Sequence, residues 1–192
     1  MGSRVPLTLS SGISVDIRSW GPREMKPSVS VCIPTYNGAA FLSECLDSVL
    51  SQSYSDFEVL IEDDCSSDDS VEIANSYARR DSRIRVSVNG SNLGLVGNWN
   101  RSVQLSRGEW IKFVFQDDLI LPECLGRMVA VATRSGMPLV SCARDFIFEP
   151  GTVRELREFY AGHSAQVRDA FRESNRWSPR QCSETALRRR PT

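Results

Sequence analysis

The sequence has one histidine, no Cys-x-x-Cys pair and no Gly-rich phosphate loop, and each absence removes a class of chemistry. His163 lies in a polar stretch without metal-type partner spacing, so it reads as a solvated, non-catalytic side chain. The six cysteines are scattered, and three sit inside apolar strand or helix patterns, as buried free thiols of a reducing compartment do. No run approaches the roughly 18 apolar residues of a membrane span, and Met1 to Ser11 holds no apolar core for a secretory signal. The expectation is a cytoplasmic protein without an integral membrane segment, at most lying at the inner face of the membrane. The 23 basic and 24 acidic side chains nearly cancel, so no overall field draws the chain to nucleic acid or anionic lipid. Any anionic substrate must be held by local groups.

What is present is a regular alternation. A chain of 192 residues with a 41% hydrophobic share supports one domain with tails. Residues 1–27, rich in Ser, Gly, Pro and Arg, read as a leader; 28–145 form the domain; 146–192 form a short helical and irregular segment. Val29, Val31 and Ile33 alternate as a strand, Pro34-Thr35-Tyr36-Asn37-Gly38 breaks it, and Phe41, Leu42, Cys45, Leu46, Val49 and Leu50 follow with helical period. A second strand, Phe57 to Ile61, runs into Glu62-Asp63-Asp64-Cys65-Ser66-Ser67-Asp68-Asp69, where Ser67 is the expected N-cap of a helix burying Val71, Ala74, Tyr77 and Ala78. Strand Ile84 to Val88, a turn at Asn89-Gly90, and a helix through Val96, Trp99 and Val103 ending at Gly108 come next. Strand Trp110 to Phe115 then delivers Gln116-Asp117-Asp118. Pro122 suits the first turn of a helix burying Leu125, Met128, Val129 and Ala132 and closed by Gly136, and Leu139 to Cys142 is a fifth strand. Two polar helices are expected near 153–161 and 166–174, and a loosely ordered stretch from Arg176. Strands and helices at this spacing predict an α/β, doubly wound, mostly parallel sheet with helices on both faces.

In such sheets ligands bind beyond the carboxyl ends of the strands. That edge gathers Asp64, Asp117 and Asp118, and carboxylates brought together repel unless a cation or donors offset them. A hard cation, Mg²⁺ or Mn²⁺, would resolve the repulsion and take its remaining ligands from water and phosphate, which points to a diphosphate. The blander reading, helix caps and solvated loops, suits Asp63, Asp68 and Asp69. It suits Asp117-Asp118 less well, because Leu119, Ile120 and Leu121 follow directly and a charge pair in an apolar run is costly.

Three stretches in order, Val29 to Asn37 (VSVCIPTYN), Phe57 to Asp68 (FEVLIEDDCSSD) and Gly108 to Asp118 (GEWIKFVFQDD), resemble family 2 glycosyltransferases of the GT-A fold over residues 28 to 145. The resemblance implies a Rossmann-like nucleotide-sugar-binding domain that moves a sugar from a nucleoside diphosphate-sugar, UDP-linked in many members, to an acceptor hydroxyl with inversion. The acceptor would be a carbohydrate, a lipid-linked saccharide or another hydroxyl compound, as in cell-surface polysaccharide biosynthesis. By the same resemblance Pro34, Thr35 and Tyr36 line the nucleoside pocket, Asp64 bonds the base, Asp117 lies against the ribose and sugar-phosphate, and Asp118 of the DxD-like element binds the cation. Cys65 stands where a glycine is usual, and Trp99 where many relatives carry Arg; Arg101 or Lys112 is the candidate to replace that cation, and Lys112 reads equally as a strand residue facing water. The chain is short after its fifth strand by comparison with the family. Asp145 and Glu149 are then the nearest carboxylates for an acceptor, each with a competing role in a cap or turn. Two other functions compete: a catalytically incomplete nucleotide-sugar-binding module of the same fold, and a phosphoacceptor receiver or nucleotidyltransferase. Pro34-Thr35-Tyr36-Asn37 fits neither of the last two.

Overall fold

The computed structural model describes residues 26–142, 146–148, 153–155, 157–162, 165 and 186–188. Four parallel strands, β1 (Val29–Thr35), β2 (Phe57–Asp63), β3 (Ile84–Val88) and β4 (Trp110–Phe113), make the body of the sheet. Between and after them run α1 (Leu42–Leu50), α2 (Ser70–Ala78), α3 (Gly94–Leu105) and α4 (Cys124–Ser135). Two short strands, β5 (Leu139–Val140) and β6 (Ala186–Arg188), complete the order β3-β2-β1-β4-β6-β5.

β1 and β2 are buried along their whole length, as central strands of a sheet covered on both faces must be. On one face Val29, Val31, Ile33, Val59 and Ile61 pack against Leu42, Cys45, Leu46 and Val49 of α1, Ala74 of α2 and Leu125, Met128 and Ala132 of α4. On the other, Cys32, Leu60 and Ile111 meet Val103 and Leu105 of α3. This is the doubly wound arrangement. Gly136 ends α4 with φ 62°, the left-handed turn that glycine adopts at least cost.

Several local expectations are corrected. The stretch after Arg176, expected to be loosely ordered, holds β6, which pairs antiparallel with both β4 and β5; three residues are too few to display an alternation. α2 starts at Ser70, not after Ser67: the Ser67 N–H and hydroxyl turn back to Asn37 Oδ1, and Asp68 Oδ1 accepts the Ser70 N–H. α3 ends at Leu105, and its buried residues are the polar Asn98 and Ser102, while Val96 is exposed. Gly108 lies beyond it, where a Cβ would stand 2.4 Å from the Ser30 amide nitrogen, so the glycine serves the close approach of β4 to β1. Pro122 precedes α4 by two residues and accepts the Ser53 N–H through its carbonyl. Residues 154–155 and 157–162 are helical, as expected; 166–174 and His163 fall outside the described residues.

Candidate functional site

The parallel register brings the ends of β1 and β2 level, with Thr35 opposite Asp63, and the chain beyond Asp63 is held by the Asp64 N–H donating to Thr35 O at 2.8 Å. Beyond β4, residues 114–118 fold back over the same edge, the Asp118 N–H closing a turn on Phe115 O at 2.9 Å. A cavity of about 590 Å³ opens there, lined by Pro34, Thr35, Tyr36, Asp64, Asn98, Trp99, Phe115, Gln116 and Asp117, with Asn92, Gly94 and Leu95 from the start of α3. Five of the sequence candidates, Pro34, Thr35, Tyr36, Asp64 and Asp117, therefore share one cavity. Asp118 sits beside it, half-buried, and is not among its lining residues.

The acids do not form the cluster expected from the sequence. Among the described residues no three metal-ligating side chains converge. Asp64, Asp63 and Asp68 have donors of their own. Asp64, buried at 2% exposure, accepts the Asn89 Nδ2 amide at 2.9 Å and the Leu93 N–H at 2.7 Å, both on Oδ1. Asp63 accepts the Ser66 N–H and hydroxyl. Desolvation raises the Asp68 pKa, but hydrogen bonds from the Ser70 hydroxyl and from the Ala39 and Ser70 amides together outweigh it and hold the carboxyl below the usual range. Asp117-Asp118 also escapes the cost expected of a charge pair in an apolar run, because Asp117 is exposed and Leu119 and Leu121 point to solvent at 47% and 81% exposure.

Two asparagines carry the site from behind and were not singled out in the sequence. Asn98 of α3 donates to Glu62 O at 2.9 Å and to Thr35 O at 3.5 Å, bridging the paired ends of β1 and β2. Its Oδ1 accepts from Asn89 Nδ2, the same group that reaches Asp64. Asn89-Gly90 reads as a turn dipeptide, yet Asn89 is buried; a polar residue in an Asn-Gly pair carries no sign of facing inward.

Among the described residues, none that lines the cavity is cationic. Lys112 is 2% exposed on β4 beside Leu125 and Met128, which excludes the expectation that it faces water or offers its charge to this cavity. Arg101 lies 3.9 Å from Glu62 Oε1. Glu62 is closed off from water close to the molecular surface; burial raises its pKa, and the Ser87 hydroxyl and Arg101 pull it back only in part. Trp99 is stacked on Phe115 (ring centroids 4.9 Å apart) and tilted against Phe113, its buried Nε1–H without a hydrogen-bond partner among the described residues. Beneath the acids, the Cys45 thiol donates to Phe115 O; burial first, then the charges of Asp118 and Asp117, push its pKa up to about 12. Cys65, next to Asp64, has φ 64°, the conformation that favours the glycine usual at its position. Asp145 and Glu149 fall outside the described residues.

The model of the family described as Glycosyl transferase family 2 matches residues 30–191. An uncharacterized glycosyltransferase of Bacillus subtilis, EpsJ, is 39% identical over 118 residues, which span 62% of this chain and 34% of EpsJ. Glycosyltransferase GlyG of Streptococcus pneumoniae is 33% identical over 96 residues, 50% of this chain and 32% of GlyG. Among solved structures, S. aureus TarS in complex with UDP-GlcNAc superposes with a TM-score of 0.60 at 28% identity, over 66% of this chain and 37% of TarS. The chain thus spans about a third of the length of these relatives. The described residues contain no helix long and apolar enough to cross a membrane.

Proposed function

Because the chain belongs to glycosyl transferase family 2 and has its GT-A-type α/β fold, we propose that the cavity beyond β1, β2 and β4 is the nucleotide-sugar donor site of a glycosyltransferase. One observation carries this reading: a single cavity is lined both by a buried, oriented carboxylate, Asp64, and by Asp117. Both bonds to Asp64 use Oδ1, leaving Oδ2 for the imide N–H of a uracil or a comparable donor on another base. Tyr36, half-exposed at the cavity mouth, offers a ring face to the base, and Thr35 and Pro34 close the floor. A bound UDP-GlcNAc in TarS, which shares the fold at 28% identity, supports a uridine-linked donor.

The proposal extends to a divalent cation. A diphosphate entering a lining with two carboxylates and no cation needs its charge offset. The oxygen-only Asp117-Asp118 pair, without a third side chain converging, suits Mg²⁺ or Mn²⁺, which completes its shell with phosphate oxygens and water. Bound there, the ion would stabilise charge developing on the leaving diphosphate. Asp118 is the expected ligand and Asp117 the group oriented toward ribose and sugar-phosphate. The reaction is a single displacement with inversion, which requires no covalent enzyme intermediate, onto a hydroxyl of a carbohydrate or lipid-linked acceptor.

Saturation-transfer NMR with UDP, GDP, CDP and ADP tests the base end of the site. The expected result is strongest transfer to the uracil protons and its loss in Asp64→Ala. Equal, weak transfer to all four nucleotides would overturn the assignment.

A further inference from the structure

Gln116 sits between the acid pair and the nucleoside end of the proposed site. Its Oε1 accepts the Tyr36 N–H at 2.8 Å, and its Nε2 donates to Tyr36 O at 3.2 Å. The carboxamide thereby pairs with both backbone groups of one residue, as a strand neighbour would. β1 and β4 pair only as far as Cys32 and Phe113, followed by the Val114 N–H to Cys32 O at 3.0 Å, so this clasp is a side-chain continuation of their ladder. Gly38 makes room for it. A Cβ on Gly38 would stand 2.4 Å from Gln116 Oε1 and 2.5 Å from its Cδ, and the nearest atoms are all from that one side chain.

The rest of the loop is anchored elsewhere. The Asn37, Gly38 and Ala39 amides donate to Ser66 Oγ, Ser70 Oγ and Asp68 Oδ2, all on the β2–α2 side. Tyr36 is tied instead, through Gln116, to the turn that bears Asp117 and Asp118. We infer that Gln116 is a positioning residue: it locks Tyr36 to the acid-bearing turn, so that the nucleoside and diphosphate ends of the site are set at one spacing. The inference rests on the donor-site reading for its consequence and on the clasp alone for its structure.

Two variants break the clasp by different routes. Gln116→Ala removes it; Gly38→Ala expels the Gln116 side chain, at a position whose φ any residue adopts and whose three nearest neighbouring atoms belong to the far end of that flexible chain. Each should weaken Mn²⁺-dependent UDP binding by about three- to thirtyfold, the range for one or two lost hydrogen bonds. The double variant should be no worse than either single one, because the clash disappears with the side chain that causes it. Backbone exchange, read by mass spectrometry on the full chain without ligand, should rise in the peptide containing Tyr36 in both single variants. Unchanged exchange there, wild-type UDP affinity in Gln116→Ala, or multiplicative losses in the double variant would each overturn the inference. If the wild-type chain binds no nucleotide, the donor-site reading falls, while the exchange result still decides whether the clasp holds Tyr36.

Discussion

From behind the cavity wall, Asn89 donates its side-chain amide to Asp64 at 2.9 Å, so the proposed base-reading carboxylate is oriented before any ligand arrives. The same amide group reaches Asn98 Oδ1 at 3.0 Å, and Asn98 holds the β2 end through Glu62 O. A buried network of this kind is stable only when complete. Asn89→Ala is expected to cost about 1–3 kcal/mol of stability, the usual penalty for leaving buried polar partners unpaired, and to weaken UDP binding besides. Urea denaturation and UDP titration of the variant check both; a variant with unchanged stability would show that the network is not a support.

Gly108 and Gly90 make a matched pair. A Cβ on Gly108 meets backbone atoms of Val29 and Ser30 at 2.7 and 2.4 Å, whereas one on Gly90 meets nothing within 4 Å. Gly108→Ala must push β4 off β1 and is expected to destabilise by about 1–3 kcal/mol or more; Gly90→Ala should change stability by less than about 0.5 kcal/mol. Thermal melts of the two variants side by side decide it.

The buried thiol gives a pH dependence. Cys45 ionises only near pH 12 in the folded chain, well above its ordinary range, so its contribution is fully present below that range and is lost as pH rises toward 12. Across that window the unfolded chain has released the proton and the folded chain has not, which lowers stability by up to about 1.4 kcal/mol per pH unit. Urea midpoints at pH 8 and 10 should fall less steeply in Cys45→Ala than in the wild type. At pH 8 iodoacetamide should label the exposed Cys65 and spare Cys45.

Trp99 stabilises through its rings and carries a buried donor that no described residue accepts. Trp99→Phe keeps an aromatic partner for Phe115 while removing the buried N–H, so stability should hold within about 1 kcal/mol; Trp99→Ala should lose about 2–4 kcal/mol. Chemical denaturation separates the two outcomes, and equal losses in both variants would mean that the indole N–H is used.

Much of this was legible because the physics is local. The apolar stripe of Leu42, Cys45, Leu46 and Val49 and the alternation of Val29, Val31 and Ile33 follow from helix and strand periods, and the parallel order carries Pro34 to Tyr36, Asp64 and Asp117 to one cavity. What stayed hidden depends on contacts across the chain. Asn98 buries a polar face of α3 because it satisfies carbonyls of β1 and β2, and Val96 is left outside, the reverse of what hydrophobicity predicts. Lys112 reads equally as a cation for the phosphates or as a solvent-facing residue of an alternating strand, yet α4 covers it. β6 returns from residues 186–188 to pair with β4, a partnership that no short-range pattern encodes.

The central claim is a metal-assisted nucleoside diphosphate site. Calorimetric titration of UDP and UDP-sugars into the full chain, with Mn²⁺, with EDTA and in Asp118→Ala, tests it most directly. The account predicts binding with Mn²⁺ that is lost with EDTA and in Asp118→Ala. Absence of binding in every condition, or binding indifferent to both metal and Asp118, would contradict it.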